Sequence, residues 1–211
     1  MISTELSEGW TLQPTAGDPD GRLPDRLPAT VPGTTHVDLM TAGVIADPFL
    51  DGNEFTLTWL FDVDWRYRTV LDPADLDLST PGPDERVDLV FDGIDTISTV
   101  TLAGTELGHT ANMHRSYRFD VGRLMTGEAC ELTVDLSSVT AYAEAEKDRL
   151  GFRPGPYPAP FNYVRKMACS FGWDWGPDLR TAGLWKPVRL ERWRTARLAS
   201  VRPLVTVDDD G

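Results

Sequence analysis

The residue types best suited to chemistry lie together in residues 171–177, which read FGWDWGP. Tryptophan is among the rarest residues, yet this chain has 7, and the indoles of Trp173 and Trp175 flank the carboxylate of Asp174. Aromatic faces stack on the C–H faces of sugars, and an ionised carboxylate accepts hydrogen bonds from neighbouring hydroxyls. The motif therefore indicates a saccharide subsite. These residues leave one alternative open. The motif could instead be a structural corner, in which the tryptophans pack in the core and the Asp accepts hydrogen bonds from backbone N–H groups.

Four further residues are candidates for a role near this motif. Asn112 and His114 lie on a predicted turn able to face the same pocket, although Asn is also common in turns for its backbone conformation. Arg165 and Lys166 are either side chains that orient Asp174 or surface charges. These four residues are the candidates, and a fifth residue has a different expected role. Asp95 is expected to be a structural hydrogen-bond acceptor within the fold. The three histidines lack the spacing of metal ligands, and the two cysteines are too far apart for a CxxC motif, so no metal and no cofactor is predicted.

The composition limits the possible partners. Lys and Arg total 20 against 33 Asp and Glu, which gives a net charge of −13. Nucleic acids and anionic membranes both require clustered Lys and Arg, so neither is an expected partner, whereas a neutral sugar is compatible with this charge. The N-terminal residues lack the basic and apolar regions of a signal peptide, and a cytoplasmic location is expected.

Most of the chain is predicted to form short β-strands. Apolar and polar residues alternate, with turn residues between the runs, in residues 57–71, 87–91, 97–102, 106–108, 117–121, 130–136 and 185–190. Trp59, Trp65 and Tyr67 alternate along the first of these runs and are expected to pack in the core. Short strands at this density are typical of an all-β, antiparallel sandwich.

Two short helices and a long loop are expected to interrupt these strands. Thr34 and Thr35 are suited to cap a helix over residues 36–42, and Ser137 and Ser138 one over residues 139–150. Residues 151–185 are rich in Pro, Gly and aromatics, and a loop of that length is usually functional. Residues 198–207 predict a further strand, followed by an Asp-Asp-Asp-Gly turn, so the chain is expected to be part of a longer protein.

With these elements placed, the sequence resembles the N-terminal domain of the β-mannosidases of glycoside hydrolase family 2, over nearly its whole length. The core of the sandwich is shared across family 2, whereas the doubled-tryptophan motif is specific to the mannosidase branch. The matching segments are residues 31–39, 42–49, 53–54, 59, 65–67, 91–96, 112–114, 165–166, 171–177 and 183–188.

The resemblance implies a galactose-binding-domain-like jelly-roll β-sandwich over residues 1–195 and the start of an immunoglobulin-like domain over residues 196–211. It implies a retaining enzyme that releases terminal β-D-mannose with two glutamates of a (β/α)₈ barrel, which is absent here. No catalytic residue is therefore expected in this chain, which alone should be inactive. The expected partners are a mannose-containing oligosaccharide and the barrel of the same polypeptide.

On this analogy Asp174 binds mannose hydroxyls distant from the scissile bond, while Trp173 and Trp175 shape the pocket and exclude water. Asn112, His114 and Arg165 complete the candidate substrate-binding residues. Two alternatives are a stand-alone carbohydrate-binding module and a structural sandwich that braces a β-galactosidase or β-glucuronidase barrel. The unpaired strand at residues 198–207 argues against the first, and the doubled-tryptophan motif argues against the second.

Overall fold

Two antiparallel sheets pack face to face in the computed structural model, which describes residues 1–18, 21–74, 76, 81–82, 84–156 and 158–208. Within these residues the strands are β1 (Ile2–Glu5), β2 (Thr11–Ala16), β3 (Leu27–Pro28), β4 (Asp64–Leu71), β5 (Glu85–Phe91), β6 (Ile97–Leu102), β7 (Thr105–Ala111), β8 (Tyr117–Asp120), β9 (Cys130–Leu136) and β10 (Val188–Arg194). One sheet has the order β1-β10-β5-β8, and the other has the order β3-β2-β4-β9-β6-β7. The predicted all-β sandwich is therefore confirmed.

Strand β4 shows how the sequence pattern builds the core. Its residues alternate between the two faces of the sheet, so Trp65 and Tyr67 point inwards and are 2% and 0% exposed. Arg66 points outwards and pairs with Asp135 of β9, with 2.5 Å between Nε and Oδ1. Because one face is apolar and the other carries cross-strand ion pairs, the register of this strand is well specified.

The predicted strands over residues 97–102 and 130–136 match β6 and β9 to the residue. The turn after β6 places Ala103 and Gly104 at φ 49° and 74°, as a two-residue hairpin requires. The strand predicted for residues 57–71 is wrong in its first half, where a 3₁₀-helix spans Thr58–Asp62. Trp59 therefore lies on this helix, half-buried, and does not alternate with Trp65 on a strand.

The strand predicted for residues 198–207 is also wrong. No strand is assigned to these residues, and the described structure pairs none of them with a neighbour. Their apolar side chains are exposed, with Leu198 at 84% and Leu204 at 88%. A single strand without a partner gains little stability, which accounts for the difference. Most of the predicted turn that follows lies outside the described residues.

Two α-helices interrupt the series of strands, as predicted. Helix α1 is Thr35–Thr41, one residue earlier than expected, and α2 is Val139–Leu150. The Ser138 hydroxyl caps α2 by accepting a hydrogen bond of 3.0 Å from the Ala141 N–H. Among the described helices, none is both long and apolar enough to cross a membrane.

The predicted loop after α2 contains 3₁₀-helices over Phe161–Tyr163 and Ala168–Phe171. Tyr157 of this loop lies outside the described residues.

Candidate functional site

A short hairpin presents the doubled-tryptophan motif at the surface. The Trp173 N–H donates to the Gly176 carbonyl at 3.0 Å, and the Gly176 N–H donates to the Trp173 carbonyl at 3.3 Å. Asp174 and Trp175 consequently form the two-residue tip. The two indole centroids are 5.1 Å apart, and the side chains of Trp173 and Trp175 are 40% and 81% exposed. These tryptophans are therefore surface residues. The alternative of a structural corner required them to be buried in the core.

The hairpin forms one wall of an open recess of about 320 Å³. The opposite wall comes from a segment more than a hundred residues earlier in the chain, which the sequence patterns did not select as part of a site. Phe49 in this wall is 73% exposed, which is unusual for a large apolar side chain. The lining residues are Pro48, Phe49, Asp51, Glu54, Trp173, Asp174, Trp175, Gly176 and Pro177.

The recess combines aromatic surface with carboxylates. Asp174 is exposed, and its carboxylate accepts no hydrogen bond from the described residues, so both of its oxygens are available to a ligand. Across the recess, Glu54 Oε2 is buried and has no hydrogen-bond partner in the described part of the chain. Exposed indoles beside a free carboxylate suit a ligand that has both C–H faces and hydroxyl groups. This arrangement matches the saccharide subsite predicted from the sequence.

The other three candidate residues meet at a different place. The Asn112 Oδ1 accepts a 2.9 Å hydrogen bond from the His114 N–H, and the Met113 N–H donates to the Arg165 carbonyl at 3.0 Å. Asn112 therefore stabilises a turn at the end of β7, and that turn pairs with the segment that carries Arg165. Among the described residues, none of these three lines the recess. A substrate-binding role for Asn112, His114 and Arg165 stays a prediction.

Comparison with known proteins identifies the sandwich. The sequence profile of the family described as "Glycosyl hydrolase 2 galactose-binding domain-like" matches residues 10–186. The chain belongs to this family. The galactose-binding-like fold expected from the resemblance is thus confirmed.

Several relatives of this galactose-binding-like domain have names that state an activity. The chain is 34% identical to a β-mannosidase of Bos taurus over 206 residues, which cover 94% of this chain and 22% of that protein. It is 33% identical to β-mannosidase B of Thermothelomyces thermophilus, over 96% of this chain and 23% of the relative. The crystal structure of a β-D-mannosidase from Dictyoglomus thermophilum superposes with a TM-score of 0.81 at 34% identity, over 97% of this chain and 25% of that one. The chain thus spans about a fifth to a quarter of the length of these relatives.

A buried ion pair anchors the segment that precedes the hairpin in the galactose-binding-like domain. The Lys166 ammonium donates to the Asp95 carboxylate, and their side chains are 0% and 2% exposed. Lys166 Nζ also donates to the Thr181 carbonyl at 2.9 Å, while the Thr181 hydroxyl donates to Asp95 Oδ2 at 3.0 Å. Burial lowers the pKa of Lys166, and the Asp95 carboxylate opposes this shift. Asp95 is therefore a structural acceptor, as predicted, and its partner Lys166 ties the loop to the sandwich.

His36 of α1 makes the stability of the domain dependent on pH. Burial, reinforced by the nearby Lys166 charge, lowers the pKa of His36 from 6.5 to about 4. Its Nε2 has no hydrogen-bond partner within the described residues. The unfolded chain therefore binds a proton at His36 below about pH 6.5, whereas the folded chain does so only below about pH 4. We expect this residue alone to lower the free energy of unfolding by about 2 kcal/mol between about pH 7 and pH 5.

Urea unfolding followed by tryptophan fluorescence at the two pH values measures this loss. His36→Gln should remove most of the pH-dependent difference, even if the variant is less stable at both pH values. The exposed His114 provides the matched control, and His114→Gln should retain the difference. Equal losses in the wild type and in His36→Gln would contradict the assignment to His36.

Proposed function

We propose that this chain is the substrate-recognition domain of a retaining glycoside hydrolase that releases terminal, non-reducing β-D-mannose. The observation that carries the proposal is the hairpin that presents Asp174 between two exposed indoles at the edge of an open recess. The names of the relatives at 33–34% identity support the choice of mannose over other sugars. The catalytic glutamates belong, on this proposal, to a barrel in the remainder of the polypeptide, against which the recess faces.

Asp174 is the recognition residue in this proposal. Its free carboxylate accepts hydrogen bonds from two neighbouring mannose hydroxyls, while the indoles of Trp173 and Trp175 cover the apolar face of the ring. Hydrogen bonds to a charged group contribute about 1.5–3 kcal/mol each. Bonds that persist in the transition state help to offset the cost of distorting the sugar ring. The domain thereby contributes to the rate without supplying a nucleophile or an acid.

The test is hydrolysis of a panel of aryl β-D-glycosides by the full polypeptide, meaning this chain together with the proposed barrel. The panel contains the mannoside, galactoside, glucuronide and glucosaminide. We expect kcat/KM for the mannoside to exceed that for each of the others by roughly two orders of magnitude. A preference for the galactoside or the glucuronide would overturn the proposal and favour another branch of the family.

A second measurement separates a recognition domain from an independent binding module. The 211-residue chain alone is titrated calorimetrically with a β-mannose oligosaccharide. We expect no binding tighter than a Kd of about 1 mM, because the recess is open and only one side of the sugar is covered. Tighter binding by the isolated chain would favour the carbohydrate-binding module.

A further inference from the structure

The guanidinium of Arg180 occupies an enclosed position below the hairpin. It lies over the rings of Phe61 and Phe171, with 4.5 Å and 5.1 Å between its Cζ and the two ring centroids. Its side chain is only 13% exposed. Both contacts place the cation over the face of an aromatic ring, and the N–H groups of the guanidinium find their hydrogen-bond partners elsewhere.

That edge makes three directional hydrogen bonds. Nε and Nη2 donate to the two oxygens of Asp178 at 3.1 Å and 2.9 Å, which is a bidentate pair. Nη1 donates to the Thr140 hydroxyl in the first turn of α2 at 3.0 Å. A bidentate pair fixes the orientation of the carboxylate as well as its distance. Arg180 thus connects Asp178 to α2 and to the 3₁₀-helix that carries Phe61.

Phe171 and Asp178 flank the hairpin on its two sides. Phe171 lies two residues before Trp173, and Asp178 lies two residues after Gly176. Gly172, next to Phe171, has φ 86° and ψ 158°, and a Cβ built on it would lie 3.4 Å from the Asp178 Cβ. The two ends of the hairpin therefore approach each other directly beside Arg180, which contacts both of them.

We propose that Arg180 is a positioning residue: by holding Phe171 and Asp178 together against Phe61 and Thr140, it sets the orientation of the Trp173–Asp174–Trp175 tip. Arg180 does not line the recess and acts only through the hairpin. The kinetic part of this inference rests on the proposed function, whereas the spectroscopic part does not. Lysine would keep the charge at this position but would lose both the bidentate fork and the planar stacking surface.

The first test is circular dichroism of the 211-residue chain. The two indoles have centroids 5.1 Å apart and ring planes 53° apart. At this distance their electronic transitions should couple, and we expect a paired positive and negative band in the far ultraviolet. The difference spectrum between wild type and Trp173→Phe defines the signal of this pair among the 7 tryptophans. We expect Arg180→Lys to reduce that signal by about half or more, because the tip no longer has one orientation.

Two further variants make this test decisive. Arg149→Lys changes an arginine of α2 that is 64% exposed and paired with Glu146, and it should retain the full signal. Asp178→Asn removes the ion pair but leaves Arg180 stacked on its two rings, so it tests the hairpin attachment even if Arg180→Lys does not fold. An unchanged signal in a folded Arg180→Lys, or in Asp178→Asn, would overturn the inference.

The second test is kinetic and uses the full polypeptide. A tip that is displaced should raise KM for the aryl β-mannoside and lower kcat/KM by between about tenfold and a hundredfold in Arg180→Lys. A merely structural role would lower the fraction of active enzyme, which reduces the apparent kcat and leaves KM unchanged; that result would also overturn the inference. Absence of mannoside hydrolysis in the wild type would contradict the proposed function alone, because the dichroism still reports the position of the tip.

Discussion

Replacement of Asp174 by alanine should lower kcat/KM for an aryl β-D-mannoside by roughly two to four orders of magnitude in the full polypeptide. The estimate follows from two hydrogen bonds to a charged group, which contribute about 1.5–3 kcal/mol each. Asp174 lies at the tip of the hairpin, where the described residues leave its carboxylate without a hydrogen bond. Its loss should therefore not disturb the sandwich, and the free energy of unfolding of the 211-residue chain should stay within about 0.5 kcal/mol of the wild type.

Two companion variants show whether the carboxylate itself is responsible. Asp174→Asn keeps the shape and one acceptor oxygen, so its loss in kcat/KM should be smaller than that of Asp174→Ala. Asp148→Asn removes an exposed carboxylate from α2 and serves as the matched control for net charge. If mannoside-selective turnover persists unchanged in Asp174→Ala, the enzyme activity stands but the motif is purely architectural.

Alternation of side chains between the core and the outer face is one pattern that makes a strand predictable from the sequence. Strand β6 has this pattern, with Ser98, Val100 and Leu102 buried, and its bounds were predicted to the residue. Residues 57–62 show why the pattern fails elsewhere. Leu57, Leu60 and Phe61 are buried at helical spacing. However, Leu57, Trp59 and Phe61 occupy alternate positions and therefore also fit a strand. Such a short apolar run does not discriminate between the two structures.

Half of the candidate site could be predicted, and the other half could not. Asp174 and its two indoles are adjacent in the sequence, so their combination is visible without a fold. The wall that contains Phe49 and Glu54 meets them only because the sheets bring distant loops to one end of the sandwich. Neither secondary-structure propensity nor residue type shows which distant loops come together in the fold. The structural signal is the position of Phe49 in the same recess as the two indoles, and it exists only once the fold is known.

Lys166 shows the same dependence on the fold, because the sequence alone suggested a role beside Asp174. The structure instead places its ammonium against Asp95, with both side chains buried. Asp95 lies just before β6, and Lys166 lies shortly before the 3₁₀-helix that leads into the hairpin. Their ion pair therefore joins the six-stranded sheet to the segment that presents the site.

Replacement of Lys166 by methionine should lower the free energy of unfolding of the 211-residue chain by about 3–5 kcal/mol. Methionine fills a similar volume, so the loss is chiefly the cost of leaving the Asp95 carboxylate buried without a cation. Hydrogen bonds from Thr96 and Thr181 to Asp95 remain, but they do not neutralise its charge. Equilibrium urea unfolding measures the loss, and Asp95→Asn combined with Lys166→Met should recover part of it, because the double variant buries no unpaired charge.

The exposed pair Lys147–Glu144 on α2 provides the comparison within the same chain. Its nitrogen and oxygen are 2.8 Å apart, but the side chains are 38% and 46% exposed. Lys147→Met should therefore cost less than about 1 kcal/mol, since solvent screens the Glu144 charge after the lysine is removed. Equal losses for Lys166→Met and Lys147→Met would show that Asp95 finds compensation when its partner is absent. A difference of several kcal/mol would show that burial, rather than the contact itself, makes the loss of a partner costly for the Lys166–Asp95 pair.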